Sequence, residues 1–211
     1  MRYFEMSSVF HYPWEQVAEA FWKRYPNPES THVLSEDTVF REVRGHQLFS
    51  KRVFTKTNRV PKWGERFVSA HTVKILEESV VDPREQVLVT YTRNLGYVRV
   101  MSVVEKVVYR ASSDNPGWTV AERSAWVDSH VFGFARAIQA FGMERFRKNC
   151  LKMTGGFNHV LAAMFPHAAP PGGQASAPSS KDTLRDAAKR AGDLAKAKAG
   201  PLYASIHANK T

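Results

Sequence analysis

Apolar and polar residues alternate along most of the first 130 residues, and this pattern predicts strands. The alternating runs are rich in β-branched and aromatic residues, with turn residues between them at RGH, DPRE, NLG and SSDNPG. They span residues 2–11, 33–43, 47–55, 72–81, 87–93, 99–109 and 118–127. About seven strands at these spacings favour an antiparallel meander.

Two segments follow a helical period instead. In residues 14–25, Val17, Phe21 and Trp22 recur at helical spacing, and the prolines of the RYPNP turn forbid any continuation. The pattern predicts a long helix over residues 131–164, with two neighbouring apolar stripes. The predicted fold is therefore α+β: a curved antiparallel sheet with a short helix and a long C-terminal helix on its concave face.

Composition changes after this helix. With 43% hydrophobic residues in 211, the chain can fill one sizeable core, which we place in a domain of residues 1–165. Residues 166–180 are small residues, Pro and Gly and predict a flexible linker, while residues 181–211 predict a Lys/Ala-rich tail, helical or disordered. No apolar run is long enough to span a membrane, the N-terminus does not read as a secretory signal, and the single Cys150 excludes an intramolecular disulfide.

The chain carries a net charge of +10, which favours anionic partners. On the long helix, the apolar stripe that ends at Phe141 continues with cations. Those cations are Arg145, Lys148 and Lys152. This end of the helix either faces an opening or an anionic ligand, or leaves the sheet and turns to solvent. Further candidate cations are Arg24 beside the double-proline turn, and Lys56 and Arg59 in the segment TKTNRVPKWGERF.

That segment, residues 55–67, combines four cations with Trp63 and Phe67 but has no apolar period. A loop that exposes two aromatic rings to water is costly unless the rings contact something. Two interpretations stay open: the loop contacts a membrane surface, or it is a static loop whose rings plug the edge of the core.

Catalytic signatures are missing from the sequence. It contains no nucleophile elbow, phosphate-binding glycine loop, dinucleotide fingerprint or HExxH motif, and its histidines show no metal-ligand spacing. Glu77 and Glu78 are adjacent in a predicted strand and point to opposite faces, so they cannot act as an acid–base pair. We expect neither an enzyme nor a cofactor.

Several motifs together resemble the PRELI/MSF1 family. They are FWKRYPNPESTHVLSEDTVFREV, TKTNRVPKW, SVVDP, YTRN, SDNPGWT and FGMERFRKN, in this order over residues 1–165. The resemblance implies a PRELI/MSF1 fold that encloses a lipid cavity. It also implies a soluble lipid-transfer protein of the mitochondrial intermembrane space, peripheral on its membranes, which carries phosphatidic acid from the outer to the inner membrane for cardiolipin synthesis. The obligate partner implied is a small helical hairpin protein of the twin CX9C class.

The resemblance also implies the site residues. By family motif, the lipid headgroup is bound by Arg24, Lys56, Arg59, Arg145 and Lys152, with weaker support for Lys148. Residues 57–70 correspond to a lid over the cavity that docks on anionic membranes. Its contact residues are Asn58, Val60, Pro61, Lys62, Trp63, Arg66, Phe67 and Val68.

Three alternatives remain. A sister branch of the family moves phosphatidylserine, although the Lys, Asn and basic residue of TKTNRVPKW favour phosphatidic acid. A lipid-sensing or scaffold module, linked to apoptosis, would bind lipid without net transfer. An RNA-binding module would fit the positive charge, but the basic residues are scattered and no RNA-binding signature occurs, so we expect no nucleic-acid partner.

Overall fold

The alternating segments form strands and the two periodic segments form helices, in a computed structural model that describes residues 1–58 and 60–166. Within those residues the strands are β1 (Arg2–Phe10), β2 (Val33–Arg44), β3 (Gln47–Thr57), β4 (Thr72–Asp82), β5 (Val87–Asn94), β6 (Ser102–Ala111) and β7 (Thr119–Asp128). The α-helices are α1 (Trp14–Phe21) and α2 (Ala135–Met164), and short 3-10 helices lie at Pro28–Ser30 and Lys62–Gly64. Arg59, the tail and all of the predicted linker except Pro166 lie outside the described residues.

All seven strands join one antiparallel sheet, which confirms the predicted meander. The strand order is β1-β7-β6-β5-β4-β3-β2, so each strand from β2 to β7 pairs with its neighbour in the chain. β1 closes the other edge by pairing with β7, from Arg2 opposite Val127 to Phe10 opposite Thr119. β2 is the second edge, and Val39 and Val43 on it are largely exposed.

The type and order of the elements were predicted correctly, but several of their end residues were not. α1 stops at Phe21 rather than continuing to residue 25, because the N–H groups of Trp22 and Lys23 already bond three residues back, to Glu19 O and Ala20 O. β6 starts at Ser102 rather than at residue 99, since Tyr97 adopts a positive φ of 56° and its carbonyl accepts bonds from two following N–H groups.

The apolar core occupies one half of the concave face. α1 and the C-terminal half of α2 pack there against β1, β6 and β7. Its most buried large side chains are Phe10, Trp14, Val17, Phe21, Leu88, Phe157 and Leu161. The Trp14 indole N–H also donates to the Tyr109 carbonyl at 3.2 Å, which fixes α1 on the sheet. Cys150 is completely buried nearby, and burial raises the pKa of its thiol.

Two glycines let α2 approach its neighbours closely. A Cβ atom on Gly142 would lie 2.6 Å from the Met101 sulfur and 2.9 Å from Val127 Cγ1. A Cβ atom on Gly156 would collide with the carboxamide of Asn27, which itself accepts from Glu29 N–H at 3.0 Å. The helix is thus held against the sheet at one end and against the turn after α1 at the other. Between these two contacts, the second half of the concave face is left for a cavity.

Candidate functional site

A cavity of about 230 Å³ lies between the first half of α2, the concave face and the lid, residues 57–70. Its wall is mainly apolar, including Val60, Pro61, Phe67, Val68, Val73, Ile75, Val100, Met101, Val103, Ile138, Phe141, Phe146 and Met153. A smaller cavity of about 60 Å³ lies on the side of α1. Both cavities are bordered by Lys56, Thr92 and Glu105 and by the apolar Ile75 and Met153, so a partly polar partition separates the two spaces.

The structure brings some of the predicted headgroup cations together. Lys56 borders both cavities, Arg145 borders the larger one and Arg24 borders the smaller one. Lys56 and Arg145 are each half-buried in a largely apolar wall, and a charge at such a position is more strongly felt than one in water. Arg59 lies outside the described residues, so its predicted role stays a prediction.

Lys148 and Lys152 do not reach the cavity wall. Both are exposed, and Lys148 pairs with Glu144 at 3.3 Å on the helix surface. The reason is that the inward side of α2 shifts along the helix, from Ile138 near its start to Phe157 near its end. The cation stripe predicted from Phe141 onward therefore splits, with Arg145 inside and both lysines outside.

Arg24 belongs to a buried charge network that the sequence analysis missed. Its guanidinium donates to the Phe21 carbonyl at 2.9 Å and to the Glu77 carboxylate. Arg52, 1% exposed, donates to the other Glu77 oxygen at 2.9 Å through Nε and also to Glu36. Burial is the largest single influence on Arg24 and opposes its charge, but Glu77, Tyr25 and Tyr109 together outweigh burial and raise the pKa of Arg24. Arg24 is therefore held as a permanent cation.

A second buried pair lies further along the same sheet face. Arg123 donates to Glu105, which also accepts from the Thr92 hydroxyl at 2.9 Å. Four buried charges on strands are at inward positions of the period-2 pattern, where a charge is unusual. They are Arg52, Glu77, Glu105 and Arg123. That alternation was a usable signal: Arg52 precedes the buried Phe54 by two residues, and Glu77 precedes the buried Ser79 by two.

The partition between the cavities has a positive potential. Burial by itself would raise the pKa of the Tyr25 phenol, but the charges of Lys56 and Arg24 outweigh it, and the pKa of Tyr25 is lowered. Arg24 and Arg52 are neutralised by Glu77 and Glu36, and Arg123 by Glu105. The residual positive potential therefore centres on Lys56, where an anionic group would be favoured.

His32 and Asn149 add polar groups to the wall of the larger cavity. Neither was predicted, because His32 ends a turn and Asn149 lies within a polar stretch of α2 without any periodic signal. Both side chains can donate a hydrogen bond to an oxygen anion.

The lid lies over the cavity in a closed arrangement. Its two ends are tied together, with Asn58 N–H bonded to His71 O at 2.6 Å and the Asn58 amide to Ala70 O at 3.2 Å. The Trp63 ring packs edge-on against Phe141 at 5.6 Å between centroids, and the Phe67 ring lies 5.6 Å from Phe134. These aromatic contacts hold the middle of the lid against Phe141 of α2 and Phe134 just before α2.

The predicted lid residues divide into two groups. Six of them line the cavity: Asn58, Val60, Pro61, Trp63, Phe67 and Val68. Lys62 and Arg66 are exposed on the outside, with the Arg66 guanidinium 4.4 Å from the Phe134 ring centroid. Trp63 does both, since it borders the cavity and is still 42% exposed.

In the described part of the chain, no three or more His, Cys, Asp or Glu residues are grouped as metal ligands would be. Across those same residues, no helix combines the length and apolar character that a membrane crossing requires.

Comparisons with known proteins agree with this geometry. The sequence pattern of the PRELI-like family matches residues 15–167. "PRELI domain-containing protein 1, mitochondrial" of Gallus gallus is 47% identical over 199 residues, covering 92% of this chain and 87% of that protein. The Mus musculus protein of the same name is 48% identical over 200 residues, covering 93% and 87%.

Solved structures share the fold at low sequence identity. A protein from Thermus thermophilus superposes with a TM-score of 0.55 at 12% identity, covering 78% of this chain and 99% of that one. The Zhui aromatase/cyclase from a Streptomyces species gives a TM-score of 0.53 at 13% identity, covering 82% and 99%. The architecture is the helix-grip fold, in which a curved sheet wraps a long C-terminal helix.

Proposed function

Because this chain belongs to the PRELI-like family, we propose that it transfers phosphatidic acid from the outer to the inner mitochondrial membrane, within the intermembrane space, for cardiolipin synthesis. The observation that carries the proposal is the apolar cavity with Lys56 and Arg145 in its wall and a closed lid above it. The mitochondrial location is supported by the names of the vertebrate relatives.

A cavity with a mainly apolar wall suits the acyl chains of a lipid. Two chains carry on the order of 30 methylenes, and exposing them to water would cost roughly 25 kcal/mol at ~0.8 kcal/mol each. Only burial in a comparable apolar space offsets such a cost. The described cavity, about 230 Å³, is larger than the roughly 150 Å³ that holds a benzene but accommodates only part of a two-chain lipid. Loading therefore requires the lid to open and α2 to give way.

The cations suit the headgroup. Phosphatidic acid ends in a phosphate monoester, so charge-assisted hydrogen bonds of ~1.5–3 kcal/mol each can select it without contacts to a head alcohol. Lys56 supplies a point charge at the partition, Arg145 a two-point donor on α2, and Arg24 a buried cation on the α1 side. Arg59 and Lys152 are kept as family-based candidates.

The remaining parts of the proposal follow from the resemblance, from the composition of the chain and from the missing catalytic motifs. The domain of residues 1–165 acts without an enzymatic step and with no ligand other than the phospholipid. It works as a heterodimer with a small twin CX9C hairpin protein. Within this chain, the linker of residues 166–180 joins the domain to a basic tail of residues 181–211.

Liposome transfer tests the function directly. The purified heterodimer is expected to move fluorescent phosphatidic acid between donor and acceptor liposomes much faster than phosphatidylserine. Lys56→Glu and Arg145→Glu should each reduce transfer at least tenfold, since loss of one charge-assisted bond of ~1.5–3 kcal/mol corresponds to about ten- to a hundredfold.

The matched control is Lys148→Glu, the same reversal on the exposed side of α2, which should transfer like wild type. Faster transfer of phosphatidylserine would favour that lipid as the cargo. Binding without transfer would favour a lipid sensor, and transfer untouched by both cavity reversals would contradict the headgroup site.

A further inference from the structure

Besides the lid, two loops that contact the lid present apolar side chains to solvent. The β5–β6 loop, residues 95–101, exposes 47% of Leu95 and 45% of Val98. The β7–α2 loop, residues 129–134, exposes Phe132 completely. None of these three side chains lines either cavity, so holding a lipid inside does not explain their position.

The two loops are fixed to each other without help from the lid. His130 N–H donates to the Arg99 carbonyl at 3.0 Å, which joins the loops directly. The Asn94 side chain donates to Gly96 O at 2.7 Å and to Met101 O at 2.9 Å, which braces the β5–β6 loop across its base. Leu95, Val98 and Phe132 therefore stand on one rigid support, and we refer to these three residues as the platform.

The lid adjoins this support but is attached differently. Phe67 contacts Phe134 at the end of the β7–α2 loop, and Ala70 N–H bonds the Tyr97 hydroxyl of the β5–β6 loop at 3.1 Å. These contacts place Trp63, the exposed ring of the lid, at the same end of the molecule as the platform. If the aromatic contacts of the lid break, the bonds within the platform loops remain.

Positive charge surrounds the platform and the lid. Lys62 and Arg66 on the lid, Arg99 on the β5–β6 loop and Arg136 at the start of α2 are all exposed. In the described parts of these loops, Glu65 is the only acid. An apolar tip with a ring of cations is complementary to an anionic bilayer, where the cations meet headgroups and the apolar side chains reach the interface.

We propose that the platform of Leu95, Val98 and Phe132 is a membrane-docking surface that contacts an anionic bilayer independently of the lid. It keeps the cavity mouth on the membrane while the lid swings open. This inference rests on the proposed function, since it gives a lipid carrier the contact from which it loads.

Vesicle flotation of the purified heterodimer, the form also used for liposome transfer, tests the inference. The vesicles contain phosphatidylcholine with a minor fraction of phosphatidic acid. The double variant Val98→Asp, Phe132→Asp is expected to bind them about tenfold more weakly than wild type, because it removes a Val and a Phe from the interface and adds two charges of the wrong sign. Raised salt should weaken wild-type binding as well.

Two matched substitutions control for general effects of adding charge. Val43 on the β2 edge is 69% exposed and Leu151 on α2 is 70% exposed, both away from the platform loops. Val43→Asp, Leu151→Asp should bind vesicles like wild type. Short-chain phosphatidic acid in solution, measured by native mass spectrometry, reports cavity binding without a bilayer, and the platform variant should retain it.

The vesicle measurements can overturn the platform in two ways. Vesicle binding of the platform variant at the wild-type level, or no vesicle binding by wild type, overturns the platform. If two copies of this chain associate in wild type but not in the platform variant, and vesicle binding is unchanged, the surface serves self-association. That result also overturns the proposed membrane contact. A third result separates the two proposals. If wild type binds vesicles but neither holds nor transfers phosphatidic acid, and the platform variant loses vesicle binding, the proposed function is contradicted and the platform is supported.

Discussion

At the residue scale, the site combines cations that the sequence indicated with buried charges that it concealed. Arg24, Lys56 and Arg145 were proposed from motifs, and the structure places all three at cavity walls. The buried ion pair of Arg52 and Glu77 was not predicted: Arg52 carries no motif, and Glu77 was considered only as one half of an acid–base pair with Glu78. Their partners could not be foreseen, since pairing depends on how β3 and β4 register, with Arg52 opposite Glu77.

Removal of Glu77 tests the buried network. Glu77→Ala would leave the guanidinium groups of Arg24 and Arg52 without their shared carboxylate in a buried site. We expect a loss of about 3–5 kcal/mol in the free energy of unfolding, measured by urea denaturation. The adjacent Glu78 is the matched control, because its pair with Lys51 is exposed and Glu78→Ala should cost at most about 1 kcal/mol. Similar losses in the two variants would contradict the network.

At the element scale, strong local patterns predicted the elements, and tertiary contacts decided where they end. Seven alternating runs became seven strands because period-2 burial against one core is encoded locally. α2 begins at Ala135 rather than at residue 131, since Gly133 adopts a positive φ of 75° and the preceding residues turn instead. Such a turn depends on packing around it, which a single-sequence pattern does not contain.

Adjacent glycines on α2 offer a test at this scale. A Cβ atom on Gly155 would meet only Glu29 Cγ, at 4.0 Å, so Gly155→Ala should stabilise the protein by up to about 1 kcal/mol through helix propensity. Gly156→Ala should instead destabilise it by about 1–3 kcal/mol, because the new methyl group displaces the Asn27 carboxamide. The melting temperatures of the two variants, compared with that of wild type, measure these effects. A higher melting temperature for both variants would contradict the close approach of α2 to the turn after α1.

At the scale of the whole domain, one cavity and the lid over it are the features on which the proposed function depends. The cavity is walled by the sheet, α2 and the lid, and the lid is held at its centre by ring contacts. Such contacts are individually weak, at about 0.5–1.5 kcal/mol beyond the area they bury. The proposed carrier function would require this closed state to open.

Loss of the ring beneath Trp63 should loosen this closure. Phe141→Ala is expected to increase trypsin cleavage within the lid several-fold, since Lys62 and Arg66 become accessible in an extended conformation once the lid lifts. Leu151→Ala, an exposed position on the same helix, should leave cleavage unchanged. Equal cleavage rates in the two variants would show that the ring contact does not hold the lid.

The burial of Cys150 has a practical consequence. The chain has a single cysteine, its side chain is fully covered, and burial raises the pKa of its thiol, so the native protein offers almost no thiolate to alkylating reagents or oxidants. A cysteine introduced on the surface would then be the sole reactive thiol without any background to remove. Spin labels or fluorophores placed at chosen loops could report distances and depth of membrane insertion on the otherwise unaltered protein.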